Sequence, residues 1–210
     1  MEICLQNVSK NFGGKVVFVG VQAKFSSGNC HCVCGENGSG KSTLLKCIAR
    51  YMHLDEGKIT AQGDGIHISK EEHRRLVGMI APDFALYREL TAYENVKFFA
   101  GLRNVSLTQA VIEESLATVG LLSDSRRTIQ EFSTGMQQRV KWAILLSSQL
   151  PIWLLDEPSS SLDESGRLLV KEQIQKAARQ GKIVVMATND PVEVEYATDV
   201  LALDEYKNLV

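Results

Sequence analysis

No apolar run in this sequence approaches the roughly 18 residues that a membrane-spanning helix needs; Ile152 to Leu155 and Ile183 to Ala187 are among the longest. No transmembrane helix is therefore expected. The opening Met1-Glu2-Ile3 lacks the basic and apolar regions of a secretory signal, which predicts a cytosolic protein. Charge of one sign is also lacking. The net charge of −2 excludes nonspecific attraction to nucleic acid or anionic lipid as the main activity. Five cysteines, an odd number, fit reduced thiols better than a disulfide framework. Internal repeats, low-complexity tracts and Pro- or Ser-rich linkers are absent, so one compact unit is the simplest organisation. What remains is an ordinary globular composition, 44% apolar and 23% charged over 210 residues, long enough to bury a substantial core.

Strand-like runs at Ile3 to Val8 and Val16 to Val21 are parted by the turn Gly13-Gly14, and a buried strand follows at Cys30 to Cys34. Leu44, Leu45, Ile48 and Ala49 have helical spacing. Residues 91–148 read as mostly helical, and Ser106 with Gln109 predicts a capping box for a helix running to Gly120. The last third alternates strand and helix: Ile152 to Leu155, a helix from Glu164 to Arg179 stopped by Gly181, Ile183 to Ala187, a short helix after Pro191, and Val200 to Leu203. Continuous apolar strands alternating with helices predict a parallel sheet covered on both faces, an α/β core carrying a helical insertion.

Cys30-His31-Cys32-Val33-Cys34 sets metal binding against simple burial. In an extended strand Cys30 and Cys34 lie about 13 Å apart, whereas zinc–sulfur bonds are about 2.3 Å, so one ion cannot collect all three thiols. His31 faces the other way. Small buried hydrophobes on one strand face are the expected role, and no metal is expected there.

The next residues have phosphate chemistry. Gly35-Glu36-Asn37-Gly38-Ser39-Gly40-Lys41-Ser42, continued by Thr43, matches G-x-x-x-x-G-K-[ST] between a strand and a helix. Glycines let the backbone wrap phosphate oxygens, and N–H groups at the helix N-terminus add positive potential. Lys41 is expected to reach the β- and γ-phosphates and Ser42 to ligand Mg²⁺. A second element, Ile152-Trp153-Leu154-Leu155-Asp156-Glu157, ends an apolar strand in two acids. Asp156 is expected to hold Mg²⁺ through water and Glu157 to polarise the attacking water as general base.

Between these elements, Phe132-Ser133-Thr134-Gly135-Met136-Gln137-Gln138-Arg139 resembles the signature motif of ATP-binding cassette (ABC) ATPases, and Ser159-Ser160-Ser161-Leu162-Asp163 resembles their D-loop. The resemblance covers essentially the whole chain, in the family's order. It implies a P-loop NTPase core with a mostly parallel sheet, an N-terminal antiparallel β subdomain, and a helical signature subdomain at about residues 84–148, all within one ABC ATPase domain over 1–210. It implies ATP with Mg²⁺, and Phe12 stacking on adenine. Ser133, Gly135 and Met136 would meet the γ-phosphate bound by the opposite subunit of a head-to-tail dimer. The implied partners are a second ATPase subunit and an integral membrane transporter subunit, with no nucleic acid, and the implied location is peripheral, on the cytosolic face of the plasma membrane.

Two family positions are filled differently. The usual glutamine after the strand Val77-Gly78-Met79-Ile80-Ala81 is Pro82, followed by Asp83. The usual switch histidine is Asn189, in Ala187-Thr188-Asn189-Asp190, which can hydrogen-bond phosphate but carries no charge. The expected function is ATP hydrolysis that energises transport, on the export side, with slow turnover. Haem export in cytochrome c maturation is one alternative for the cargo. A hydrolysis-impaired regulatory cassette and a soluble ABC ATPase without a transporter are the alternatives in function. An AAA-type or kinase-like P-loop protein is disfavoured by the signature motif. Phe84 to Glu94 resembles the surface that receives a membrane subunit's coupling helix.

Overall fold

The structure, a computed structural model, describes residues 1–207 and divides into two compact units. The first comprises Met1–Ala81, Pro151–Pro158 and the chain from Gln173 onward; the second comprises Pro82–Leu150 and Ser159–Glu172.

The first unit holds two sheets. One is antiparallel, in the order β2-β1-β4-β5, from β1 (Glu2–Phe12), β2 (Lys15–Ser26), β4 (Glu56–Gly63) and β5 (Ile66–Ile68). Gly13 and Gly14 both take positive φ, 56° and 88°, as a tight two-residue hairpin between right-twisted strands requires. Strands β1 and β2 extend beyond the apolar runs that signal them. Their pairing continues through register shifts between Leu5 and Asn11, where polar residues interrupt the alternation.

The other sheet is parallel throughout, in the order β6-β7-β8-β3-β9, from β3 (Cys30–Cys34), β6 (Val77–Ile80), β7 (Ile152–Asp156), β8 (Ile183–Thr188) and β9 (Asp199–Ala202). Every residue of β7 and β8 is buried, the pattern of strands covered on both faces. Helix α1 (Lys41–Ile48) buries Leu44, Leu45 and Ile48 completely. Helix α2 (Lys70–Leu76) begins with a capping box of Ser69 and Glu72, and buried His73 engages the Ile48 carbonyl through Nε2 at 2.7 Å.

The second unit is built from α3 (Ala92–Gly101), α4 (Gln109–Thr118) and α5 (Thr134–Ser148). Thr91 and Glu94 close a capping box on α3. Fully buried Asn95 ties the preceding loop to that helix: Oδ1 accepts from the Tyr87 N–H at 2.9 Å, and Nδ2 donates to the carbonyls of Tyr87 and Thr91, both at 3.0 Å. The cap of α4 corrects the sequence-based expectation. Thr108, not Ser106, is the N-cap, its hydroxyl accepting from the Val111 N–H at 3.4 Å. Gln109 is thus the first helical residue rather than the third, so it cannot reach back; it donates forward to Glu113 at 2.7 Å instead. The stop is where glycine signals it, with Gly120 at φ 73°. Helix α6 (Glu164–Arg179) lies in the second unit up to Glu172, and the single turn α7 (Pro191–Val194) belongs to the first.

Candidate nucleotide site

Strand β3 ends in the phosphate-loop sequence, and α1 starts at its lysine. Two glycines are dictated by space. A Cβ on Gly40, at φ 100°, would lie 2.4 Å from Val17 Cγ1, and one on Gly35, at φ 153°, would lie 2.8 Å from Ser39 Oγ and 2.9 Å from Asp204 Oδ2. The loop folds on itself through its carbonyls. Lys41 is only 7% exposed, and its Nζ donates to the carbonyls of Gly35 at 2.8 Å and Glu36 at 3.0 Å. The Ser39 N–H also donates to the Glu36 carbonyl, at 3.1 Å, while the Ser39 hydroxyl is buried without a hydrogen-bond partner. Glu36, Asn37, Gly38 and Ser42 are exposed and Thr43 is half-buried. A loop with a buried ammonium, an orphan hydroxyl and a helix N-terminus can hold an anion such as phosphate.

The acid pair stands at the carboxyl end of the same sheet. In the register of β7, β8 and β3, Asp156 is opposite Ala187, and Thr188 is opposite Cys34. Two strand spacings therefore separate the acids from the root of the loop, about 10 Å. Asp156 is 3% exposed, whereas Glu157 is exposed and left-handed, at φ 48°, held there by its N–H bond to the Ala187 carbonyl at 2.9 Å. A non-glycine residue in that region costs roughly 1 kcal/mol, a type of strain that concentrates at functional sites. Asn189 follows β8 directly and reaches the loop: its Nδ2 donates to Asn37 Oδ1 at 2.8 Å. The structure thus brings together Gly35, Glu36 and Lys41, and separately Asn37 and Asn189.

Phe12 is half-exposed at the hairpin end of β1, with Lys10 Nζ 5.2 Å from its ring centroid. Lys10 in turn pairs with Asp55 at 3.1 Å. Sequence reasoning missed this brace, and it missed Asp204, which meets the loop across 168 residues. Neither carries a motif signal.

In the second unit Ser133 caps α5, its hydroxyl accepting from the Met136 N–H at 3.2 Å. A Cβ on Gly135 would lie 2.9 Å from the Ser161 carbonyl, so glycine lets the first turn of α5 lie against the D-loop-like segment. Arg139 fixes that segment further by bonding Asp163 and Ser165, each at 3.0 Å. The carboxyl of Asp163 is held below its usual value first by the Gly166 N–H, then by Ser165 and Arg139. Pro82 is exposed, and its carbonyl accepts from Lys141 Nζ at 3.3 Å. Burial pushes the Lys141 ammonium down.

Cys30 and Cys32 are buried with thiols pushed up to about 12 by desolvation. His31 accepts from the Ser26 N–H at 2.9 Å through Nε2. Among the described residues no cluster of three or more His, Cys, Asp or Glu could hold a metal ion.

The family model for ABC transporters matches residues 18–160, spanning the phosphate loop, the signature segment and the acid pair. The chain belongs to the ABC transporter family. The cytochrome c biogenesis ATP-binding export protein CcmA of Aliivibrio fischeri is 31% identical over 191 residues, 91% of this chain and 93% of its own. The glutamine transport ATP-binding protein GlnQ of Escherichia coli is 34% identical, covering 88% of this chain and 80% of its own. A bacterial ABC transporter cassette solved as a dimer superposes with a TM-score of 0.84 at 26% identity, covering 96% of this chain and 94% of the other. That cassette has also been solved with ADP and phosphate bound, and this second structure superposes with a TM-score of 0.83. This chain is accordingly an ABC transporter ATPase subunit. None of its described helices is long and apolar enough to cross a membrane.

Proposed function

We propose that this ABC cassette energises export through a separate membrane subunit, docked peripherally on the cytosolic face of the membrane. Export is supported by the names of relatives such as the CcmA proteins and the Nod factor export ATP-binding protein I of Sinorhizobium fredii, which is 32% identical over 96% of this chain.

The observation that carries the site assignment is Lys41, a buried ammonium whose acceptors are carbonyls of its own loop. Incoming β- and γ-phosphates offer it stronger, charge-assisted acceptors. Gly35 through Gly40 supply close-fitting backbone, and Ser42 and Thr43 open the helix beneath the phosphates. Phe12 offers a ring face to adenine. Ser42 and Asp156 are oxygen donors of the kind Mg²⁺ takes, and the ion would neutralise phosphate charge when bound. Glu157 accepts the proton of the attacking water as general base, and Asn189 exchanges its bond to Asn37 for one to the γ-phosphate. Ser133, Gly135 and Met136 serve the nucleotide of the opposite cassette. Pro82 and Asn189 favour a second reading, a regulatory cassette whose partner hydrolyses. The test is ATPase activity of the chain co-purified with its membrane partner: turnover abolished by Lys41→Ala supports the first reading, and absence of turnover with intact ATP binding supports the second.

A further inference from the structure

The parallel register of β3 and β9 sets Cys34 opposite Ala202. Two residues further along each chain, that register sets Glu36 opposite Asp204. The ladder itself has ended there, because residues Leu203–Tyr206 turn into a 3₁₀ segment pinned by fully buried Leu203. A side chain replaces the backbone partner: Asp204 Oδ2 accepts from the Glu36 N–H at 2.9 Å. The other carboxylate oxygen pairs with Lys207 Nζ at 3.2 Å. Glu36 is thereby gripped on both sides, its N–H by Asp204 and its carbonyl by Lys41 and the Ser39 N–H. The carboxylate also occupies the space that a side chain at position 35 would need. The Glu36 N–H holds the Asp204 carboxyl below its ordinary value, so it is ionised at neutral pH.

We propose that Asp204 is a positioning residue of the phosphate loop, fixing the loop's entry through the Glu36 amide so that ATP meets a pre-formed cradle; the inference rests on the nucleotide reading of residues 35–43. When Lys41 leaves the loop carbonyls for a phosphate, the Glu36 carbonyl loses one restraint and Asp204 keeps the amide side fixed. The entropy of ordering the loop is then met before binding, so the effect falls on affinity and not on the chemical step.

The experiment measures the dissociation constant for Mg-ATP by displacement of a fluorescent ATP analogue, together with KM and kcat of the complex with the membrane partner. Asp204→Ala should weaken ATP about ten-fold, the scale of one hydrogen bond to a charged group, with kcat changed by less than about two-fold. Asp204→Asn keeps an acceptor oxygen and should stay within about three-fold of wild type. A merely structural role would lower the melting temperature without this KM-against-kcat split and without rescue by asparagine. Unchanged affinity in Asp204→Ala, with Lys41→Ala unable to bind, overturns the proposal and leaves the loop assignment standing. Unchanged affinity in Lys41→Ala removes the loop assignment and this inference with it. Hydrogen exchange of the Glu36 amide in the wild type is independent of whether any variant folds: protection is expected, and free exchange overturns the proposal.

Discussion

Asn189 Nδ2 and Asn37 Oδ1 are joined at 2.8 Å, so the residue following β8 touches the phosphate loop 152 positions away in sequence. Asparagine can pass this bond to a phosphate but cannot bring a charge or a proton. Groups that orient or protonate reactants typically contribute about 10² to 10⁴ in rate. Wild-type turnover should therefore be slow but measurable. Asn189→Ala should lower it further, Asn189→His should raise it or leave it unchanged, and both should bind ATP. Steady-state ATPase rates with the membrane partner present check this; fast wild-type turnover indifferent to Asn189→Ala would assign the role to another residue.

Lys41→Ala should abolish tight ATP binding. The lost contact is a desolvated, charge-assisted one worth about 1.5 to 3 kcal/mol or more, at least a ten-fold loss in affinity. Equilibrium titration with ATP measures it, and an unaltered dissociation constant would remove the phosphate-loop role.

Thiol reactivity should divide the five cysteines. Burial raises Cys30 and Cys32 to about 12 and Cys47 to about 11, so at pH 8 all three stay protonated and inaccessible. Alkylation of the native protein should spare them, while Cys4 and Cys34, both half-buried, remain the only candidates. Denaturant should release the other three. Mass spectrometry showing rapid native labelling at Cys30, Cys32 or Cys47 would contradict the packing of the parallel sheet and α1.

Asn95→Ala should destabilise the second unit. It removes bonds to Tyr87 and Thr91 inside a fully buried site, at a cost of about 2 kcal/mol or more. At this chain length that is a fall of roughly 4 to 8 °C in melting temperature. An unchanged melting curve would show the loop before α3 to be held by other contacts, such as the Tyr87–Phe98 ring pair at 4.5 Å.

What the sequence made legible is local chemistry. Gly35 to Thr43 lie between a strand and a helix because the strand is a buried run of cysteines and valine around His31 and the helix follows from Leu44, Leu45 and Ile48; Ile152 to Glu157 is legible as a continuous apolar strand. Glycine stops at Gly120 and Gly181 were equally visible, both with positive φ. Competing hydroxyls were not separable: Ser106 and Thr108 are two residues apart, and only the position of the first helical turn decides between them. Contacts between distant segments were invisible. Asp204 on Glu36, Asn189 on Asn37 and Lys141 on Pro82 depend on strand order or helix packing, which no local pattern states.

In the proposed mechanism Glu157, strained at the end of β7, activates water for a site that Lys41 and the loop assemble. Glu157→Gln keeps the side-chain shape and the binding groups while removing the base. The most direct measurement is size-exclusion chromatography of Glu157→Gln with Mg-ATP, paired with its ATPase rate in the membrane complex. A persistent ATP-bound dimer is expected, with turnover reduced by about 10² or more. A variant that hydrolyses ATP at the wild-type rate, or that stays monomeric with its membrane partner and Mg-ATP present, would contradict this mechanism.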